Sequence, residues 1–177
     1  MITTDPQDEV FPVVNEHGEV IGTTTRGEAH RNRALIHPAI GIFVFNPRGE
    51  LLLQKRSATK DLGPNCWTIS VGGHVRYGGE PKETAVREAE EEVGLTIPRD
   101  QLMLIGEILT ATEIESEYWY LYRYDMPEEF PLKAHPDEVA ELRFVSLKEL
   151  RSMIGDPGIE WSEDPKALIM KYILKDI

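Results

Sequence analysis

An α+β domain, a mixed sheet with helices packed on it, is the fold this sequence predicts, and three observations predict it. Short apolar runs rich in β-branched and aromatic residues recur between turn signals. One long stretch, EPKETAVREAEEEVG at 80–94, reads as a helix, and two shorter helical stretches close the chain. Strands and helices do not alternate as regular βαβ units, which points to a mixed rather than an all-parallel sheet. With 177 residues the chain is long enough for one domain, 1–177, with a real core, and too short for two comfortable ones.

Taken in order, FPVVNEHGEVIG, about 11–22, predicts a hairpin around a His-Gly turn. TTTRGEAHRN reads as a short helix or a loop. HPAIGIFVFNPRGELLLQKR is the clearest hairpin, with Ile40, Ile42, Val44 and Leu51 to Leu53 flanking the turn Asn46-Pro47-Arg48-Gly49. The polar loop SATKDLGPN leads to another strand, CWTISV, before Gly72 and Gly73 interrupt the pattern. In the helix that follows, Pro81 suits the first turn and Gly94 the position just past the last. MLIGEILTAT and EYWYLYRYDM are two further strands, and LKELRSMI and EDPKALIMKYIL give the two closing helices over about 146–175.

Composition narrows the function. A net charge of −12 argues against binding a nucleic acid polymer, which needs clustered Lys and Arg. It leaves room for an anionic small molecule, because a metal ion or a few local bases can invert the field of one cleft. The single cysteine, Cys66, precludes an intrachain disulfide and suits a reducing compartment. MITTDPQDEV shows no secretory signal, and no apolar run approaches the roughly 20 residues of a membrane span. The expectation is a cytoplasmic protein with no membrane partner.

Residues 73–95 read GHVRYGGEPKETAVREAEEEVGL, with four glutamates, Glu88 and Glu90 to Glu92, in five positions. Like charges three and four apart on a helix repel by about 0.2–0.5 kcal/mol per pair. A bound cation would offset that repulsion; a solvated face on an acidic protein is the other reading. Glu88, Glu91 and Glu92 stand at i, i+3 and i+4 and share a face. Ala85, Ala89 and Val93, spaced by four, form a narrow apolar stripe able to pack on a sheet. Carboxylates converging over small residues are what Mg²⁺ accepts.

The longer pattern, Gly73-x5-x-x7-Arg87-Glu88-Ala89-x-Glu91-Glu92-x-Gly94-Leu95, resembles the Nudix box, G-x5-E-x7-R-E-U-x-E-E-x-G-U with U a bulky aliphatic. The resemblance implies a Nudix-like α/β/α sandwich and hydrolysis of a nucleoside diphosphate derivative or a related organic diphosphate. Two positions depart. Ala89 is small where a larger aliphatic is usual, and Gly79 takes the place of the first glutamate, with Glu80 one residue later as its substitute.

VVNEHGEVIG, AHRNRALIHPAIGIFVFN, LLLQKRSATKDLGPNCWTISVGGHV and EIESEYW together resemble one Nudix subgroup, that of type I isopentenyl diphosphate isomerase and its hydrolase-like relatives. The resemblance implies a second, transition-metal site at His30, His37, His74, Glu115 and Glu117, and diphosphate contacts from Arg56 and Lys60. Glu115 and Glu117, two apart on a strand, share a face, and imidazoles with carboxylates suit Mn²⁺, Zn²⁺ or Fe²⁺ better than Mg²⁺. His17 is explained by its turn, and His135 reads as a loop residue. Where the isomerase has its cysteine this chain has Gly72, which cannot donate a proton. The isomerase's C-terminal aromatic aligns with Lys166, near Trp161.

The reading is therefore a hydrolase using Mg²⁺ or Mn²⁺ held by Glu88, Glu91 and Glu92. The catalytic base is Glu91 or Glu92 first and Glu138 second. Arg56 offers a bidentate fork and Lys60 a point charge for the diphosphate. Trp67, Tyr118 and Trp119 are either stacking groups or core. An altered isomerase and a non-catalytic diphosphate-binding module stay open as alternatives, and so does a homodimer.

Overall fold

A computed structural model describes residues 3–175; Met1, Ile2, Asp176 and Ile177, the ends of the expected 1–177 unit, lie outside the described residues. The first hairpin joins β1 (Val10–Val14) to β2 (Val20–Thr25), a two-stranded sheet. Its turn is tied by the Asn15 side chain, which accepts from the His17 and Glu19 amides. α1 (Arg26–Ala29) is a single turn closed by a capping box between Thr25 and Glu28. The larger sheet of seven strands is built on β3 (His37–Phe45), buried along its whole length. β3 pairs in parallel with β8 (Ser116–Asp125), and β7 (Met103–Ala111) forms the edge beyond it.

The Asn46–Gly49 turn forms as its sequence predicts, with Gly49 at φ 75° and the Asn46 side chain accepting from the Arg48 and Glu50 amides. The hairpin it closes does not. β3 and β4 (Leu51–Arg56) are paired only at Phe45 and Leu51. Ser70 explains the divergence: its hydroxyl accepts from the Val44 amide at 2.9 Å and donates to the Leu52 carbonyl at 2.5 Å, standing between the two strands. The expected strand CWTISV consequently splits at Ile69 and Ser70. β5 (Trp67–Thr68) pairs with β4, and β6 (Val71–His74) pairs with β3. The mouth between the splayed strands is where the site forms.

β9 (Val139–Val145) lies antiparallel on β4, a strand that the sequence does not predict. Only its end residues, Val139 and Val145, are buried, and Ala140, Glu141 and Arg143 are exposed, so VAELRFV carries little apolar alternation to mark it. α2 (Pro81–Val93) covers one face of the sheet. Ala85, Ala89 and Val93 are fully buried there against Ile40, Ile42, Val44, Leu52 and Val71. Gly94 ends the helix in the left-handed conformation, φ 68°. On the other face Phe43, Leu53, Trp119 and Leu121 pack against α3 (Leu147–Gly155), α4 (Glu163–Ile169) and the turn to Leu174. Helices on both faces of a mixed sheet give the α/β/α layering.

Candidate active site

A cavity of about 710 Å³ opens at the end of the sheet where β3 and β4 part. Glu88, Glu91 and Glu92 reach it from α2, Gln54 and Arg56 from β4, and Gly72, Gly73 and His74 from β6. Glu115 and Glu117 enter from the start of β8, and Lys60, Asp61 and Glu138 from loops.

Along α2, the three glutamates occupy different environments. Glu92 is 6 % exposed and accepts from Gln54 Nε2 and the Gly72 amide, both at 3.2 Å. Burial pushes its carboxyl up to about 8, and the neighbouring charges of Glu88 and Glu138 add to the shift. Glu88, largely buried, is raised for the same first reason, opposed by Arg87. Glu91 faces solvent. Arg87 donates to Glu88 at 2.7 Å and to Glu91 at 2.6 Å, so one guanidinium relieves two of the like charges along the helix. Among the described residues no guanidinium or ammonium bonds Glu92 in this way. A cation at this face would remove the penalty that raises Glu92.

Gly73, which opens the motif, and Gly79, which replaces its first glutamate, both have steric reasons. A Cβ on Gly73 would lie 2.8 Å from the Glu88 side chain, so this close approach requires glycine. Gly73→Ala is expected to turn Glu88 away from the cavity and lower activity about tenfold, with stability changed by under about 1 kcal/mol, because the clash is with a side-chain tip. Paired kinetics and urea denaturation check this. At Gly79 a Cβ would approach the Arg76 carbonyl at 3.1 Å. Glu80, the helix N-cap, makes no capping bond through its side chain, and Arg87 is held by Glu88 and Glu91 instead.

The imidazoles converge at the other wall. The parallel register places His37 opposite Glu117, and the β3–β6 register places His74 opposite Ala39, two residues along the same face. His30 arrives from the end of α1. The ring centroids are 5.0–5.4 Å apart. His74 Nε2 lies 3.1 Å from Glu117, His37 Nε2 3.8 Å from Glu117, and His30 Nε2 3.6 Å from Glu115. Nitrogens of the three histidines fall within 4.8 Å of one another, as do ligand atoms of His37, Glu115 and Glu117.

Two outward contacts set the tautomers. His37 Nδ1 sits 3.1 Å from the Leu35 carbonyl, which can only accept, so Nδ1 carries the hydrogen and Nε2 the lone pair. His30 Nδ1 faces Asp61 at 3.2 Å in the same way. Burial lowers the His37 pKa to about 4 and that of His74 well below the ordinary value, keeping both rings neutral. His30 Nε2, His37 Nε2 and Glu115 Oε2 are buried without a hydrogen-bond partner. Orphaned lone pairs gathered within a few ångströms, with outward hydrogens held by a carboxylate and a carbonyl, fit a divalent transition metal. Phe11, fully buried, stacks on His74 and His37 at 4.7 and 5.5 Å and covers the cluster on the side away from the cavity's other wall.

The remaining expected residues fall in several places. Arg56 lines the cavity with Nε on the Leu62 carbonyl at 2.9 Å. Lys60, 8 % exposed at its side chain, is engaged by Asp5 at 2.5 Å and Glu138 at 2.6 Å. Trp119 lines the cavity, whereas Trp67 belongs to the core and Tyr118 bonds Glu107. His135 touches the cavity wall, while His17 stays in its exposed turn. Neither Trp161 nor Lys166 is among the lining residues. Phe11, Gln54, Asp61 and Asp164 line or brace the site and were not singled out from the sequence. Gln54 alone gave a signal, a polar residue inside the apolar run LLLQKR.

The sequence and the fold have counterparts. Isopentenyl-diphosphate Delta-isomerase 2 of Photorhabdus laumondii is 35 % identical over 153 residues, 84 % of this chain and 84 % of the relative. Nudix hydrolase 3 of Arabidopsis thaliana is 32 % identical over 169 residues, 89 % of this chain but 21 % of that longer protein. A crystal structure from Deinococcus radiodurans superposes with a TM-score of 0.77 at 24 % identity, covering 93 % of this chain and 99 % of the other, a likeness of fold. No helix among the described residues is long and apolar enough to cross a membrane. The NUDIX domain model matches residues 35–167, most of the chain and most of the cavity lining, leaving out Asp5, Pro6, Glu9, Arg26 and His30, and the protein belongs to the Nudix family.

Proposed function

We propose that the protein is a metal-dependent hydrolase of an organic or nucleoside diphosphate. The observation that carries this reading is the complete carboxylate face of α2, with Glu92 buried against the cavity and without a cationic partner of its own. Glu88, Glu91 and Glu92 would hold Mg²⁺ or Mn²⁺, and the three histidines with Glu115 and Glu117 a transition metal. A divalent ion so held neutralises diphosphate charge and lowers the pKa of a water it binds. Arg56 keeps its terminal guanidinium nitrogens for a phosphate oxygen, since only Nε is engaged by the loop. Glu138 is the carboxylate best arranged to take the proton of the attacking water. It lines the cavity, is one-third exposed, and is oriented by Lys60. Glu92 already accepts two hydrogen bonds and Glu91 is drawn outward by Arg87.

A second reading has its own support: the Photorhabdus relative is named an isomerase, and the histidine cluster of this chain suits either reading. Against it stands Gly72. A Cβ there would meet nothing closer than 3.8 Å, so a side chain has room and the sequence supplies no proton donor. A panel of diphosphates with Mg²⁺ or Mn²⁺ separates the readings. Release of monophosphate or inorganic phosphate is the expected result. Rearrangement of isopentenyl diphosphate without phosphate release would replace the hydrolase with the isomerase, and binding without turnover would leave a diphosphate-binding module.

A further inference from the structure

Asp5 lies ahead of every motif in the sequence, yet its carboxylate is built into the cavity wall, 4 % exposed at the side chain. Oδ1 accepts from Lys60 Nζ at 2.5 Å and lies 3.3 Å from Arg26 Nη2; Oδ2 accepts from the Asp61 amide at 2.9 Å. Two lines of contact leave this group. One runs through Lys60 to Glu138, 2.6 Å beyond. The other runs through Asp61, also bonded by Arg26 at 3.0 Å, to Nδ1 of His30. Lys60 and Arg26 are themselves 8 % and 9 % exposed, so removing their shared anion leaves buried charge with less compensation and frees both to move.

We propose that Asp5 is a positioning residue that fixes both walls of the site, Glu138 through Lys60 and His30 through Asp61. The Glu138 arm rests on the hydrolase reading; the His30 arm rests on the metal cluster alone. The same contacts define a contrary role, in which Asp5 occupies Lys60 in place of a substrate phosphate and holds the site shut. The two roles predict opposite kinetics. A positioning residue lost should lower kcat with little change in KM, whereas a competing anion lost should lower KM and raise activity at low substrate.

The test uses the full chain with Asp5→Ala, Asp5→Asn and the double variant Asp5→Ala/Lys60→Met. Kinetics are measured on a diphosphate that the unaltered protein cleaves, and Mn²⁺ affinity is followed by electron paramagnetic resonance. Outer groups that orient ligands typically contribute about 10–100-fold. The expected result for Asp5→Ala is a kcat loss in that range, KM within about threefold, and Mn²⁺ bound at least tenfold more weakly at the imidazole cluster. Asp5→Asn, which keeps an acceptor for the Asp61 amide, should fall between. The double variant should lose no more kcat than the worse single variant, because both act on Glu138 through one contact. Should Asp5→Ala fail to fold, judged by circular dichroism, the isosteric Asp5→Asn carries the comparison. A lowered KM, or kcat and Mn²⁺ affinity both unchanged, overturns the proposal. If the unaltered protein cleaves no diphosphate, the hydrolase reading fails separately and Mn²⁺ affinity alone decides the role of Asp5.

Discussion

Glu92→Gln is expected to abolish diphosphate hydrolysis at saturating Mg²⁺ and leave the protein folded. Two features make this the variant of choice. Glu92 is the most buried of the three α2 carboxylates and has no cationic partner comparable to Arg87 for Glu88 and Glu91. Its replacement is nearly isosteric and keeps an oxygen for Gln54 and the Gly72 amide. What glutamine cannot do is neutralise a cation. The loss should appear in kcat, on the order of 10³-fold or about 4 kcal/mol of transition-state stabilisation, with the thermal midpoint within a few degrees of the unaltered protein. Turnover near that of the unaltered protein would end the role assigned to Glu92.

The helix that presents Glu92 is legible in the sequence because its cues are local. Pro81, Gly94 and the spacing of Ala85, Ala89 and Val93 all lie within fourteen residues, and the structure reproduces each. The features that shape the cavity are of another kind. Ser70 parts β3 from β4 through bonds to Val44 and Leu52, partners 26 and 18 residues away, so CWTISV looks like one strand until those partners are known. Five ligand candidates scattered between His30 and Glu117 were legible only through resemblance to a family; no spacing rule unites them. Asp61, Phe11 and Asp5 had no signal. Each matters because the fold brings it against a residue distant in the chain, as Asp5 meets Lys60 across 55 positions. Lys60 itself shows the limit of composition. It was expected to offer a point charge to substrate, and two carboxylates already hold it.

Protein purified without chelator is expected to carry about one equivalent of a transition metal at the histidine cluster, and Glu117→Gln to lose it. Glu117 is the natural target because it faces two imidazoles at once, the half-buried His74 at 3.1 Å and the buried His37 at 3.8 Å, and is itself buried. Burial, with the charge of Glu115 beside it, holds its carboxyl well above the usual range, a sign that this pocket needs a positive charge to accept two carboxylates. The amide removes one of those charges while preserving shape, so the metal-free variant should be no less stable than the metal-free parent. The metal-bound parent should differ from both. At a free metal concentration 100 times Kd, binding adds about 2.7 kcal/mol, and for a chain of this size that is about 5–10 °C in the thermal midpoint. A chelator should therefore lower the midpoint of the unaltered protein by that amount and leave Glu117→Gln unmoved. Elemental analysis and melting curves with and without chelator read both effects. A parent free of transition metal whose melting ignores added Mn²⁺, Zn²⁺ and chelator would remove this centre from the protein. The α2 site would be untouched by that result, because Glu88, Glu91 and Glu92 approach the cavity from the opposite face of the sheet, on a helix that owes nothing to the histidines.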